Sequence, residues 1–124
     1  MLKDHTAAPI VACSDLERAK HFYTETLGLP IEEEMDDLLT LRTGDSVVTV
    51  YRSDAAGSNR ANAVVWDCGD QIAAVVADLK SRGVAFEHYP EMGMTIEGDL
   101  HVQDDFRAAW FKDPDGNILH INSM

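Results

Sequence analysis

The stretch Phe111-Lys112-Asp113-Pro114-Asp115-Gly116-Asn117-Ile118-Leu119-His120-Ile121 constrains the fold of this chain more than any other, because it sets a tight turn between two short apolar-rich runs. Pro114 presets its own φ, Asp115 and Asn117 bond their own backbone, and Gly116 tolerates positive φ. Arg107 to Lys112 and Ile118 to Ile121 alternate with period two. The spacing predicts a closing β-hairpin with Ile118, His120 and Asn122 on one face.

The rest of the chain reads as one order of elements used twice. Ala8 to Cys13 is a first strand, and Ser14 or Asp15 caps a helix whose apolar positions Leu16, Ala19, Phe22, Tyr23 and Leu27 recur at helical spacing, with Gly28 at its end. Strands follow over Pro30 to Met35, Leu38 to Thr43 and Val47 to Arg52, and the small polar run Ser53 to Asn59 is a linker. Beyond it come a strand over Ala63 to Asp67, a cap at Asp70, a helix with the stripe Ile72, Val75, Val76 and Leu79 ended by Gly83, and a strand over Val84 to Tyr89. Placing Leu16 over Ile72 and Gly28 over Gly83 gives two tandem βαβββ modules, residues 6–54 and 61–124, within a single domain 1–124 of α+β class. The connection 90–105 is longer than a hairpin needs, which fits either a lid or a passive link with an irregular edge strand.

Charge and cysteine usage narrow the partners. With 22 acidic against 10 basic residues the formal charge is −12, which argues against nucleic acid and anionic membrane and leaves cationic ligands open. No apolar run approaches the roughly 18 residues of a membrane span, and the start Met1-Leu2-Lys3-Asp4-His5 lacks a signal-peptide core. A cytoplasmic protein is expected, with Cys13 and Cys68 as reduced thiols in strands.

Two motifs resemble those of the vicinal oxygen chelate superfamily, which includes glyoxalases, bleomycin-resistance proteins and extradiol dioxygenases. One is the closing hairpin just described. The other is Ser14-Asp15-Leu16-Glu17-Arg18-Ala19-Lys20-His21-Phe22-Tyr23 with Leu27-Gly28-Leu29, similar to the family's opening. The resemblance covers nearly the whole chain and implies a glyoxalase-like fold in which the curved mixed sheets of two modules enclose a cleft, and a tendency to form homodimers.

The resemblance also implies a divalent metal held by four side chains, and here the residues depart from it. The first family position falls on Ala8, its repeat equivalent on Val64, and the carboxylate position of the first module on Thr49. Only the last position offers a donor, His120. Imidazole suits the metals of this family, but one imidazole does not hold a catalytic metal. His101 would add a second nitrogen only if its loop folded back, and His5 a third; His21 and His88 are weaker candidates. No metal and no cofactor are therefore expected.

Period-two alternation puts Ala8, Ile10 and Ala12, Val47, Thr49 and Tyr51, Val64, Trp66 and Cys68, and Ile118, His120 and Asn122 on the cleft face. That set is apolar and aromatic with a few polar points, as in small-molecule pockets. The expected ligand-binding residues are Thr49, Tyr51, Trp66, His101, Trp110 and His120, with Trp66 and Trp110 suited to planar or cationic molecules and His120 the one candidate for acid or base catalysis. Core packing is the ordinary alternative for both tryptophans, and a hydrogen-bonded structural role for His120. The favoured function is metal-independent binding of a small cationic or aromatic molecule in a homodimer. The alternative is a metal-dependent glyoxalase- or dioxygenase-like enzyme, a lyase or oxidoreductase with an atypical ligand set.

Overall fold

A computed structural model describes residues 1–124. Strand β1 (Ile10–Cys13) lies parallel to β4 (Ser46–Arg52), which pairs antiparallel with β3 (Leu38–Thr43), and β3 in turn with β2 (Ile31–Glu34). The second sheet runs β5-β10-β9-β8-β7, from β5 (Asn62–Asp67), β10 (Ile118–Asn122), β9 (Phe106–Lys112), β8 (Leu100–Gln103) and β7 (Thr95–Glu97), and the two-residue β6 (Phe86–Glu87) also pairs with β9. A four-stranded and a six-stranded sheet with two short helices make an α+β fold.

Each sheet buries one face under its helix. Helix α1 (Leu16–His21) starts at Asp15, whose carboxylate accepts the Arg18 backbone N–H at 3.2 Å, and continues as a π-turn over Phe22–Thr26. Helix α2 (Ile72–Ser81) follows a 3-10 turn over Gly69–Gln71. Val11, Leu39, Leu41, Val48 and Val50 of the first sheet join Val64, Phe111, Leu119 and Ile121 of the second, with Ile72, Val76 and Leu79 of α2, in one continuous core. Burial alternates with period two over 38–41 of β3 and 47–51 of β4, as a sheet with one covered face requires.

The hairpin turn is a buried junction. Asp113 accepts the backbone N–H groups of Asp115 and Asn117 on Oδ1, and the Tyr23 hydroxyl at 2.7 Å and the Asn117 amide at 2.8 Å on Oδ2. Asn117 also donates to the Ala12 carbonyl at 2.8 Å. Asp115 accepts from the Ser14 backbone and hydroxyl and from Arg18. Three polar residues of one turn, Asp113, Asp115 and Asn117, thereby fasten the second sheet to β1, α1 and the π-turn that follows it. Tyr23 is wholly buried, and that burial, reinforced by the Asp113 carboxylate, holds its phenol far above the ordinary value.

Three expectations change. Asp70 caps no helix: it lies inside the 3-10 turn, and neither that turn nor α2 has a side-chain cap. The strand predicted over Val84 to Tyr89 pairs only at Phe86 and Glu87. The stretch 90–105 is no open loop: after a 3-10 turn at Pro90–Met92 it forms the β7–β8 hairpin, and β8 is paired to β9 through His101, Val102 and Gln103. No helix is long and apolar enough to cross a membrane.

Candidate functional site: an aromatic pocket on the second sheet

Register determines which side chains share the face of the second sheet turned away from α2. His120 pairs with Trp110, Asn122 with Ala108, and Ala108 with His101, so all five lie on that face. The rings pack on one another. Trp110 stacks on His120 with centroids 4.6 Å apart and planes at 21°, and meets the His101 ring edge-on at 4.8 Å. Tyr89 closes the group against Trp110 at 5.5 Å.

Both histidines have their ring nitrogens engaged or enclosed. The Met124 N–H donates to Asn122 Oδ1 at 3.0 Å, which turns the Asn122 amide N–H toward His120 Nε2 at 3.2 Å; His120 Nδ1–H then donates to the Ala109 carbonyl at 3.1 Å. Burial pushes the His120 pKa down, partly offset by that carbonyl and by Asp67. His101 is fully buried, and its Nε2 accepts the Tyr89 backbone N–H at 2.8 Å, which places the ring proton on Nδ1. Nδ1 has no partner of good geometry, although the Ala108 carbonyl beside it opposes the fall in pKa caused by burial and by His88.

Above this stack lies a cavity of about 270 Å³. Trp110, 6% exposed, is its floor together with Ile118. Tyr89, Glu91 and Met92 form one wall, and Arg60 and Asn62 the other. Asn62 Oδ1 accepts the indole N–H at 3.1 Å and fixes the Trp110 rotamer. The Tyr89 hydroxyl has no hydrogen-bond partner within the chain and is free to meet a ligand.

The six residues singled out from the sequence divide into three places. His101, Trp110 and His120 come together as described. Thr49 and Tyr51 share the open face of the first sheet with Ile10 and Ala12, away from this cavity. Trp66 is a correction: β5 pairs with β10 as Val64 with Leu119, Val65 with His120 and Trp66 with Ile121, so Val64 and Trp66 face the helices and Val65 faces the open side. Trp66 donates to Thr43 Oγ1 at 2.9 Å and lines, with Cys68, Leu27, Leu79 and Phe111, a separate apolar cavity of about 210 Å³. Arg60, Asn62, Tyr89, Glu91 and Met92 went unnoticed because they lie in or beside stretches read as linker and loop, where no periodicity marks direction. A further depression of about 640 Å³ is a polar surface hollow between Asp15, Glu34 and Arg52 with only Leu16 and Met35 as apolar lining.

The model of the Glyoxalase/Bleomycin resistance protein/Dioxygenase superfamily matches residues 3–121. The chain belongs to this superfamily. It is 25% identical to the Bacillus subtilis (strain 168) protein YraH over 90% of this chain and 91% of that one. Its fold matches the crystal structure of TnmS3, an antibiotic binding protein from Streptomyces sp. CB03234, with 27% identity, a TM-score of 0.65 and coverage of 95% and 93%. A glyoxalase/bleomycin resistance protein/dioxygenase from Alicyclobacillus acidocaldarius shares the fold with a TM-score of 0.75 at 18% identity, over 96% of this chain and 90% of that one.

A superfamily metal does not fit the donors this chain presents. No three His, Cys, Asp or Glu side chains come together in a way that suits a metal ion. The one donor at a family position, His120, has its Nε2 lone pair facing the Asn122 amide and its Nδ1 bonded to a carbonyl, and His101 Nε2 is bonded to Tyr89. Ligation through either ring requires breaking a buried hydrogen bond.

Proposed function

We propose that this protein is a metal-independent binder of a small aromatic molecule, held against the Trp110 floor between Tyr89 and Asn62. The observation that carries the reading is the neutral His101–Trp110–His120 stack beneath a walled cavity, with the histidine acceptor nitrogens already hydrogen-bonded. Apolar floor and a few fixed polar groups are the usual composition of a binding pocket. The antibiotic-binding role of TnmS3, at 27% identity over nearly the full length of both chains, supports the same reading. Thr49 and Tyr51 belong to it through a second copy: the cavity of about 270 Å³ falls below the roughly 300–1,000 Å³ of drug-sized sites, and the open face of the first sheet of a partner chain would complete it as an intersubunit cleft.

Calorimetric titration with polycyclic aromatics tests the reading. The expected result is saturable binding that a chelator leaves unchanged and that Trp110→Ala weakens at least tenfold. Turnover or binding that disappears on chelation and returns with Fe, Mn, Ni or Zn would replace it with the metalloenzyme reading.

A further inference from the structure

The cationic side chain at the pocket is unusual within this molecule. Of the ten Lys and Arg side chains, nine are held by a carboxylate or a backbone carbonyl. The tenth is Arg60, which makes no ion pair or hydrogen bond although the chain carries a net charge of −12 and Glu91 lines the same cavity. In so acidic a protein a guanidinium ordinarily finds a carboxylate at hand, and Arg60 stands instead at the rim of an aromatic cavity. Its planar fork is suited to bidentate pairing with a carboxylate.

Position adds a direction. Arg60 leads into β5, and Trp110 lies two strands across the sheet on β9. Both line the one cavity, so a ring system resting on Trp110 with a terminal acidic group can extend toward Arg60. Asn62, between them, keeps its amide N–H groups available because its oxygen is taken by the indole. Glu91 on the opposite wall disfavours a second negative group there.

We infer that the ligand is an aromatic acid whose carboxylate, or chemically equivalent anion, is paired with Arg60 while its ring system rests on the Trp110 floor. This rests on the aromatic-binding reading above and adds the charge and the direction of the bound molecule. For such a ligand, one unpaired guanidinium at the pocket offsets the repulsion that the rest of this acidic surface exerts.

Three probes with one naphthalene ring system and three charges separate the inference from the reading beneath it. Naphthalene carboxylate, naphthylmethanol and naphthylmethylammonium are titrated by calorimetry near neutral pH into the full chain and into Arg60→Gln, which breaks no ion pair or hydrogen bond of the fold. The carboxylate is expected to bind at least tenfold tighter than the alcohol, to lose that advantage in Arg60→Gln and to keep part of it in Arg60→Lys, while the alcohol binds both proteins alike. Equal binding of all three probes, tighter binding of the ammonium, or a carboxylate affinity indifferent to Arg60→Gln overturns the aromatic-acid assignment and leaves aromatic binding standing. No saturable binding of any probe overturns both.

Discussion

His101 shows how one side chain ties the pocket wall to pH. Its Nε2 accepts the Tyr89 N–H, so adding a proton there sets two donors against each other in a fully buried site. His101 and His120 both have pKa values held below the ordinary 6.5 by burial. The unfolded chain therefore binds these protons first as pH falls, and the stability the neutral rings contribute is present above about 6.5 and lost below it, by up to about 1.4 kcal/mol per pH unit for each ring. Asp99, held below the 3.8 of an ordinary aspartate by Lys80 and His88, acts with the same sign only at more acid pH. Urea denaturation between about pH 7.5 and 5 should show this decline, with a shallower slope in His101→Gln. A flat profile would mean that both rings protonate without leaving their places.

Elements, rather than residues, explain what was legible in the sequence. The turn chemistry of Asp113 to Asn117, the Asp15 cap and the stripe of α2 are local, and each appears where the spacing puts it. The face of β5 was not local. Superposing the helices carried Ala8 onto Val64, but a 3-10 turn at Gly69–Gln71 delays α2 and has no counterpart before α1. A one-residue slip exchanges the faces of a strand, and Trp66 moved with it to the helix side. The pocket walls escaped detection for a different reason: Arg60 and Glu91 are exposed residues beside strands, and only the tertiary fold brings them to Trp110. The buried hairpin turn yields its own test. Tyr23→Phe deletes the 2.7 Å bond to Asp113, leaving that carboxylate short of a donor inside the core. A loss of about 1–3 kcal/mol is expected in urea denaturation, and an unchanged midpoint would show that the junction does not depend on it. The linker passes close against the same turn, since a Cβ at Gly57, where φ is +79°, would come within 2.3 Å of the Asp115 carbonyl oxygen. Gly57→Ala should lower the midpoint as well.

At the scale of the whole molecule, the two open sheet faces differ. That of the second sheet is partly covered by the Tyr89 to Met92 segment and its own stacked rings, with Val65 left 53% exposed beside His120. That of the first sheet leaves Ile10 60% and Tyr51 37% exposed beside the half-buried Leu38, Thr40 and Thr49. A sheet face with large apolar residues in water is a surface that association removes. In the homodimer proposed here each such face covers a partner's aromatic pocket, so oligomeric state and ligand affinity are linked through the same residues. Light scattering at micromolar concentration should give twice the chain mass, and Ile10→Asp should shift it toward the chain mass while weakening aromatic binding in parallel. If Ile10→Asp yields a folded monomer that binds as tightly as the parent, the pocket is complete within one chain, and Thr49 and Tyr51 take no part in it. If the parent chain is itself monomeric, the covered-face argument fails, and the exposure of Ile10 and Tyr51 requires another partner.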